Sequence, residues 1–290
     1  MSNKYNVFVY GTLRQNEGNS HFLSDAKCLA QQAWTYGSLY DTGFGYPAMV
    51  RDRRGKVYGE VYEVNDDQLQ QLNWLEGYVG EGEDNHYHRV SQTIYTDYGE
   101  KQAFVYVYDD EKAKRLPKID SGDWKCHHYL DQDQWLYFAY GSCMDDERFY
   151  QAGVAEQFED VIGCGVLENY QLAYTKESFD GGRADLVESS NRWVEGKVYK
   201  INEEALTYLF KREGVNANVY RPAFITIKIN GVTYENVLTF LVINKQDEIA
   251  PPDHYAREIL RGAKGFVSES YYQMLVKDLY RKFKKRMLIE

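Results

Sequence analysis

Val9-Tyr10-Gly11-Thr12-Leu13 and Ala139-Tyr140-Gly141-Ser142-Cys143 are two versions of one phrase, and their recurrence decides how this chain is read. Each follows an apolar, strand-like run, Tyr5-Asn6-Val7-Phe8-Val9 in the first case and Trp135-Leu136-Tyr137-Phe138-Ala139 in the second. Further along, Val57-Tyr58-Gly59-Glu60-Val61-Tyr62-Glu63-Val64-Asn65 is echoed by Val194-Glu195-Gly196-Lys197-Val198-Tyr199-Lys200-Ile201-Asn202. Leu69, Leu72, Leu75, Glu76 and Gly77 are then echoed by Leu206, Leu209, Glu213 and Gly214. The offsets are 140 − 10 = 130, 199 − 62 = 137 and 213 − 76 = 137. Matching phrases in the same order at a steady offset indicate a duplicated domain. Each copy pairs a glycine turn after a strand with a carboxylate near a helix end.

The bulk properties agree. A chain of 290 residues suits two domains of ordinary size, each able to bury its own core. We place them at residues 1–132 and 133–290, with a linker in the polar stretch Asp123 to Asp133. No apolar run is long enough to span a bilayer, and the start of the chain lacks a secretory apolar segment. Cys28, Cys126, Cys143 and Cys164 show neither metal spacing nor a disulfide framework, which predicts reduced thiols in a cytoplasmic protein. A formal charge of −10 argues against nucleic acid as a partner. The basic end, Arg281 to Arg286, reads as the last turn of a helix, where cations suit the macrodipole.

Alternating aromatic and β-branched residues predict strands over Asn6–Tyr10, Trp34–Tyr40, Val57–Val64, Tyr87–Tyr95 and Gln102–Tyr108. The second copy repeats the plan up to Tyr140, then over Gly165–Tyr174, Trp193–Ile201, Ala223–Ile229 and Thr233–Val242. Asn65 or Asp66 caps a helix whose Leu69, Leu72 and Leu75 face inward and which ends at Gly77; Asn202 caps its counterpart. A tail adds helices over Asp253–Gly262 and Glu269–Met287. Many strands with few helices between them predict an α+β fold, each copy a closed or nearly closed β-structure with flanking helices.

Two features carry chemistry. A glycine directly after a strand lets the chain turn so that the next amides converge as a nest for a carboxylate or an oxyanion. Tyr-Gly-Ser/Thr is a frequent turn, so the weight comes from its repetition at matched positions. Glu76 and Glu213 stand in the last turn of their helices, where an anion opposes the dipole. A half-buried carboxylate there holds its proton more tightly, as a general base working near neutral pH requires. His86 and His88, on one face of a strand-like segment, could hold a metal, but no partner ligand is evident and the second copy has no equivalent. A packed or solvated pair is the simpler reading, and the same holds for His127 and His128. Cys143 could be a nucleophile, but Leu13 occupies its place in the first copy, so a shared mechanism does not depend on it.

The first half resembles the AIG2-like family, which includes γ-glutamylamine cyclotransferases. The matching residues are Val9 to Arg14, Gly45-Tyr46-Pro47-Ala48, Leu75-Glu76-Gly77-Tyr78, Tyr87 with Arg89, and Ser121-Gly122-Asp123-Trp124. The second half is similar to γ-glutamylcyclotransferases through Tyr140-Gly141-Ser142, Glu195 to Tyr199, Arg212-Glu213-Gly214, Tyr220-Arg221-Pro222 and the tail from Pro251 to Gly265 with Tyr271-Tyr272. The resemblance implies two small mixed β-barrels with flanking helices, a small γ-glutamyl substrate, and no metal or cofactor. It implies that the substrate's α-carboxylate sits on the turn formed by Tyr10, Gly11, Thr12 and Leu13, and on that of Tyr140, Gly141, Ser142 and Cys143. Glu76 and Glu213 would be general bases for closure of the substrate to 5-oxoproline. Many cyclotransferases carry Asn where Cys143 stands, so a side-chain contact to substrate is lost there. Two alternatives stay open: a binding module without catalysis, or one live copy beside a structural one.

Overall fold

The computed structural model describes residues 3–287, so the outermost residues of both expected domains lie outside it. The chain divides into two compact units between Leu130 and Asp131.

The first unit contains β1 (Lys4–Val9), β2 (Lys27–Tyr36), β3 (Ser38–Asp41), β4 (Pro47–Val50), β5 (Lys56–Asn65), α1 (Asp66–Leu75), β6 (His88–Thr96), β7 (Gly99–Val107), α2 (Asp110–Ala113), β8 (Lys118–Ile119) and α3 (Trp124–Tyr129). Five strands close into a barrel in the order β1-β5-β2-β6-β7, and β4-β3-β8 form a separate small sheet. The seam is a parallel contact of β1 with β7 at Val7 and Phe104, while β1 runs antiparallel to β5 with Val7 opposite Tyr62. Phe8, Val57, Val61, Ile94 and Val105 form one buried cluster; Val7, Val9, Leu69 and Leu72 pack in another under α1.

The second unit contains β9 (Gln134–Ala139), α4 (Asp146–Ala152), β10 (Val161–Ser178), β11 (Gly181–Asn202), α5 (Glu203–Arg212), β12 (Tyr220–Ile229), β13 (Val232–Val242), α6 (Asp253–Ala263) and α7 (Glu269–Phe283). Its barrel has the order β10-β11-β9-β13-β12. The seam is again parallel, β9 on β13 at Tyr137 and Leu238, and Tyr137 stands opposite Tyr199 on β11. These pairs keep the sequence offsets, since 137 − 7 = 130 and 199 − 62 = 137. The chain is therefore α+β, two closed five-stranded barrels with flanking helices.

The helices that carry the two glutamates are built alike. The Asn65 side chain accepts from the Gln68 amide, and the Gln68 side chain accepts from the Asn65 amide in return. Asn202 accepts from the Ala205 amide. Such caps satisfy amides that have no partner within the helix. Both helices stop because Gly77 (φ 61°) and Gly214 (φ 63°) adopt the left-handed conformation, which costs glycine nothing.

Two expectations need correction. The stretch taken as linker contains α3, whose cap Asp123 accepts from the Lys125 and Cys126 amides and whose Trp124 is buried. Residues 123–130 of it belong to the first unit, and the units divide directly after them. The ribbon β10–β11 is also far longer than the two strands expected, pairing out to Ser178 and Gly181. The expected strands stop at Tyr174 and resume at Trp193; in the part between them the ladder shifts between Ala173 and Lys176, and Asn191 takes positive φ. Bulges of this kind hide a strand from alternation rules. The basic end does close a helix: α7 ends at Phe283, Lys282 pairs with Glu248 and Lys285 with Asp253. Among the described residues no helix is long and apolar enough to cross a membrane.

Candidate active site

Each barrel has a cavity where its first strand ends. In the first unit Tyr10 leaves β1 and its hydroxyl donates to the Tyr106 carbonyl at 2.6 Å. In the second, the Tyr140 hydroxyl donates to the Phe240 carbonyl at 2.6 Å. Each tyrosine thus ties its turn to the strand at the barrel seam. The chain then bends tightly, with the Arg14 amide bonded to the Gly11 carbonyl and the Met144 amide bonded to the Gly141 carbonyl. Among the described residues no acceptor is found for the amides of Gly11, Thr12 and Leu13, or for those of Gly141, Ser142 and Cys143. All six residues line their cavities, of ≈ 270 Å³ and ≈ 280 Å³. Three successive amides without an acceptor at a cavity wall form a ready anion site.

Glu76 and Glu213 line the same two cavities. Glu76 follows α1, its amide bonded to the Leu72 carbonyl and its carbonyl accepting from the Tyr87 amide at 3.1 Å. Burial pushes its carboxyl up to about 7. No side chain among the described residues hydrogen bonds to it. Burial also raises the Glu213 carboxyl, but Arg212 and Arg148 work against it as cations. Glu213 Oε1 lies 3.7 Å from both Cys143 Sγ and Arg212 Nε. Burial raises the Cys143 thiol as well, which keeps it protonated and a poor nucleophile.

The walls differ. The first cavity is lined by Leu13, Leu75, Tyr46, His86, Tyr87 and Tyr106, with Glu76 its one carboxylate. The second is lined by Arg148, Lys176, Arg183 and Arg212 together with Tyr137, Tyr220 and Tyr255. His86 precedes β6 rather than sharing a strand face with His88; its Nε2 lies 3.4 Å from the Tyr46 hydroxyl, and burial lowers its pKa. His127 pairs with Asp41 at 3.2 Å. Among the described residues no group of His, Cys, Asp or Glu is arranged to hold a metal.

The reading of the sequence named the turns and the glutamates but passed over most of the wall. Tyr46, Tyr87 and Arg212 lay inside recognised motifs and could have been drawn in. Lys176 and Arg183 sit on the outer part of the β10–β11 ribbon, beyond the strands expected there, so nothing in the sequence placed them at the cavity.

Comparison with known proteins agrees with this architecture. Residues 7–126 match the family described as "Gamma-glutamyl cyclotransferase, AIG2-like", and residues 193–275 match the AIG2-like family. The second match begins after the Tyr140 turn, so the pairing of that turn with Glu213 is seen in the structure and not in the match. YkqA of Bacillus subtilis is 40% identical over 277 residues, covering 94% of this chain and 96% of that protein. Its crystal structure gives a TM-score of 0.86 over 96% of this chain and 98% of that one. Two further relatives each match under half of the chain. YtfP of Escherichia coli is 38% identical over 44% of this chain and 98% of its own length. The gamma-L-glutamyl-butirosin B gamma-glutamyl cyclotransferase of Niallia circulans is 37% identical over 41% of this chain and 75% of its own length. The chain belongs to the gamma-glutamyl cyclotransferase, AIG2-like family, and carries two of its domains in tandem.

Proposed function

We propose that both cavities release 5-oxoproline from γ-glutamyl compounds, with Glu76 and Glu213 as general bases. The observation that carries this reading is the pairing, in each unit, of a carboxyl with raised pKa and three acceptor-free amides on one cavity wall. The substrate's α-carboxylate rests on the amides after Gly11 or Gly141. The glutamate takes a proton from the substrate's α-ammonium. The freed nitrogen attacks the γ-carbonyl carbon, a C–N bond closes a five-membered ring, and the original γ-amide C–N bond breaks. The proton held by the glutamate goes to the departing nitrogen, and the second proton that the ring nitrogen sheds as the lactam forms ends on the released amine, which leaves as an ammonium, so the reaction is proton-neutral. The nucleophile belongs to the substrate, and the protein's tasks are to fold the substrate on itself and to time these proton transfers.

The test is isosteric. Glu76→Gln and Glu213→Gln keep size and one acceptor but cannot serve as carboxylate bases. Each is expected to lower 5-oxoproline release at its own site by roughly 10²–10⁴ with little change in affinity. The double variant is expected to bind γ-glutamyl compounds without turning them over. Full turnover by the double variant would remove the base role and leave a binding module as the better reading.

A further inference from the structure

We propose that Arg212 is a substrate-binding residue of the second cavity, holding the substrate's α-carboxylate by charge over the Tyr140 turn, where the first cavity uses backbone amides alone. This rests on the preceding reading that a γ-glutamyl α-carboxylate occupies the turn.

The argument starts from the repeat. At the offsets that align the two copies, Leu13 corresponds to Cys143 (13 + 130) and Leu75 to Arg212 (75 + 137). Both members of each pair line their cavity. In the first unit the two leucines belong to the same apolar cluster beneath the turn. In the second, Arg212 Nε lies 3.1 Å from Cys143 Sγ and Nη2 donates to Ser142 Oγ at 2.9 Å. The apolar pair has become a thiol and a guanidinium, and the guanidinium reaches over residues whose amides lack acceptors.

Arg212 is a largely buried cation whose ion pair with Glu213, at 3.7 Å, is too long for a hydrogen bond. Its nearest protein partners are a sulfur and a hydroxyl, and among the described residues its nearest carboxylate is Glu213 at 3.7 Å. A buried charge is costly unless an opposite charge meets it, and a guanidinium presents a planar fork that suits a carboxylate. Arg148 and Arg183, the other arginines of the wall, already have their carboxylates, Glu258 at 3.0 Å and Asp180 at 2.6 Å. Arg212 is the wall arginine with the longest carboxylate contact, and it bonds to Ser142 on the turn whose amides lack acceptors. The two cavities should therefore differ in what they require. Amides alone also donate to a neutral carboxamide oxygen, though more weakly than to a carboxylate, whereas a buried guanidinium adds a full charge to the discrimination.

The experiment uses the full chain carrying Glu76→Gln and Glu213→Gln, so that ligands persist. Binding is measured by calorimetry with γ-glutamyl-alanine and with the same compound bearing a carboxamide in place of the glutamyl α-carboxylate. Of the two sites, one is expected to prefer the carboxylate strongly. Adding Arg212→Leu, the residue of the first copy, is expected to weaken carboxylate binding there by roughly 30-fold or more and carboxamide binding by less than about threefold. The other site serves as the internal control. Arg212→Lys, which keeps the charge and loses the fork, should fall between. Equal weakening of both ligands, or none, would show that Arg212 only positions Glu213 and would overturn the proposal. Failure of the base reading appears separately, as turnover of γ-glutamyl-alanine by the Gln variants. If the chain without Arg212→Leu binds neither compound, the γ-glutamyl reading falls, and the role of Arg212 with it.

Discussion

Both Tyr-Gly turns rest on a charge pair with its barrel member buried, but the two units place the signs the other way round. Glu60 stands opposite Val9 in the first barrel, and Lys197 stands opposite Ala139 at the same place in the second. Glu60 accepts from Arg14 at 3.2 Å, from the Gln15 amide at 2.8 Å and from the Tyr62 hydroxyl at 2.9 Å; Asp123 takes the other arm of Arg14 at 2.7 Å. In the second unit Lys197 reaches Asp146 at 2.9 Å, and Tyr199, the counterpart of Tyr62, bonds to Asp146 at 3.3 Å and to the Cys143 carbonyl at 3.2 Å. In one copy the barrel supplies the anion and the turn the cation; in the other the roles are exchanged. The turn needs a neutralised charge pair at one register position, and either polarity meets that need.

The sharpest way to break this comparison is to remove one member of each brace. The side chains of Arg14, Glu60 and Asp123 are all within 4% of fully buried. Arg14→Met removes the cation that bonds to both buried carboxylates and is expected to cost roughly 3–5 kcal/mol. Lys197→Met leaves Asp146, whose side chain is 59% exposed and can turn to water, and is expected to cost only about 1 kcal/mol. Hydrogen exchange of the β1–β5 and β9–β11 amides in the full chain reads each barrel separately. Equal loss in both would mean that the second brace is as closed as the first.

A smaller effect separates the two glutamates. The folded first unit keeps the Glu76 proton up to about 7, against an ordinary value of 4.5. The folded state thus binds more protons than the unfolded state between these values, and stability falls as pH rises through them. Glu76→Gln is expected to stabilise the first unit at pH 8 by at most ~3 kcal/mol, and nearer ~1 because solvent reaches the open cavity. At pH 4 the change should be neutral. The thermal midpoint at the two pH values checks this, and a variant less stable at pH 8 would break it.

The turns themselves differ in tolerance. A Cβ at Gly11 would lie 2.6 Å from Pro47 Cγ and 2.7 Å from its Cδ, and a proline ring cannot swing away. One at Gly141 would meet the Ala184 Cβ at 3.3 Å. Gly11→Ala is expected to cost roughly 1–3 kcal/mol and to impair the first site, with Gly141→Ala below that. Turnover in the two single Glu→Gln backgrounds distinguishes the sites, and equal damage to both would mean that the Pro47 contact yields.

These differences mark where sequence reading succeeds and where it stops. The duplication, the turns and the helix-end glutamates were legible because each depends on local chemistry: a glycine after a strand, an asparagine cap, a left-handed glycine at a helix end. Barrel closure was only half legible, since a parallel seam such as Val7 with Phe104 joins residues far apart in the chain. Wall residues were the least legible. Lys176 and Arg183 reach the second cavity on the outer end of the β10–β11 ribbon, past the strand expected over Gly165–Tyr174, where a ladder shift between Ala173 and Lys176 breaks the alternation. The exchange of Leu75 for Arg212 was visible in the aligned repeat, but its meaning needed the position of the guanidinium over Ser142.

That exchange yields the finest test of the comparison, in the pH dependence of the two reactions. Glu76 is surrounded by tyrosines and leucines, and burial alone sets its proton affinity, near 7. Activity at the first site should therefore rise with pH through about 7 as the base ionises. At the second site Arg212 and Arg148 favour the ionised carboxylate against burial, so its limb should lie on the acid side of the first. Loss of a proton from the substrate's own ammonium affects both sites alike, and the difference between the profiles removes it. The measurement is kcat/KM against pH in Glu213→Gln, which reports the first site, and in Glu76→Gln, which reports the second. Adding Arg212→Leu to the latter should move the second limb toward higher pH, because the favourable cation is gone and burial remains. Coincident limbs, or an acid shift on removing Arg212, would mean that the arginine does not act on Glu213 through charge, and the contrast between the two cavities would reduce to shape.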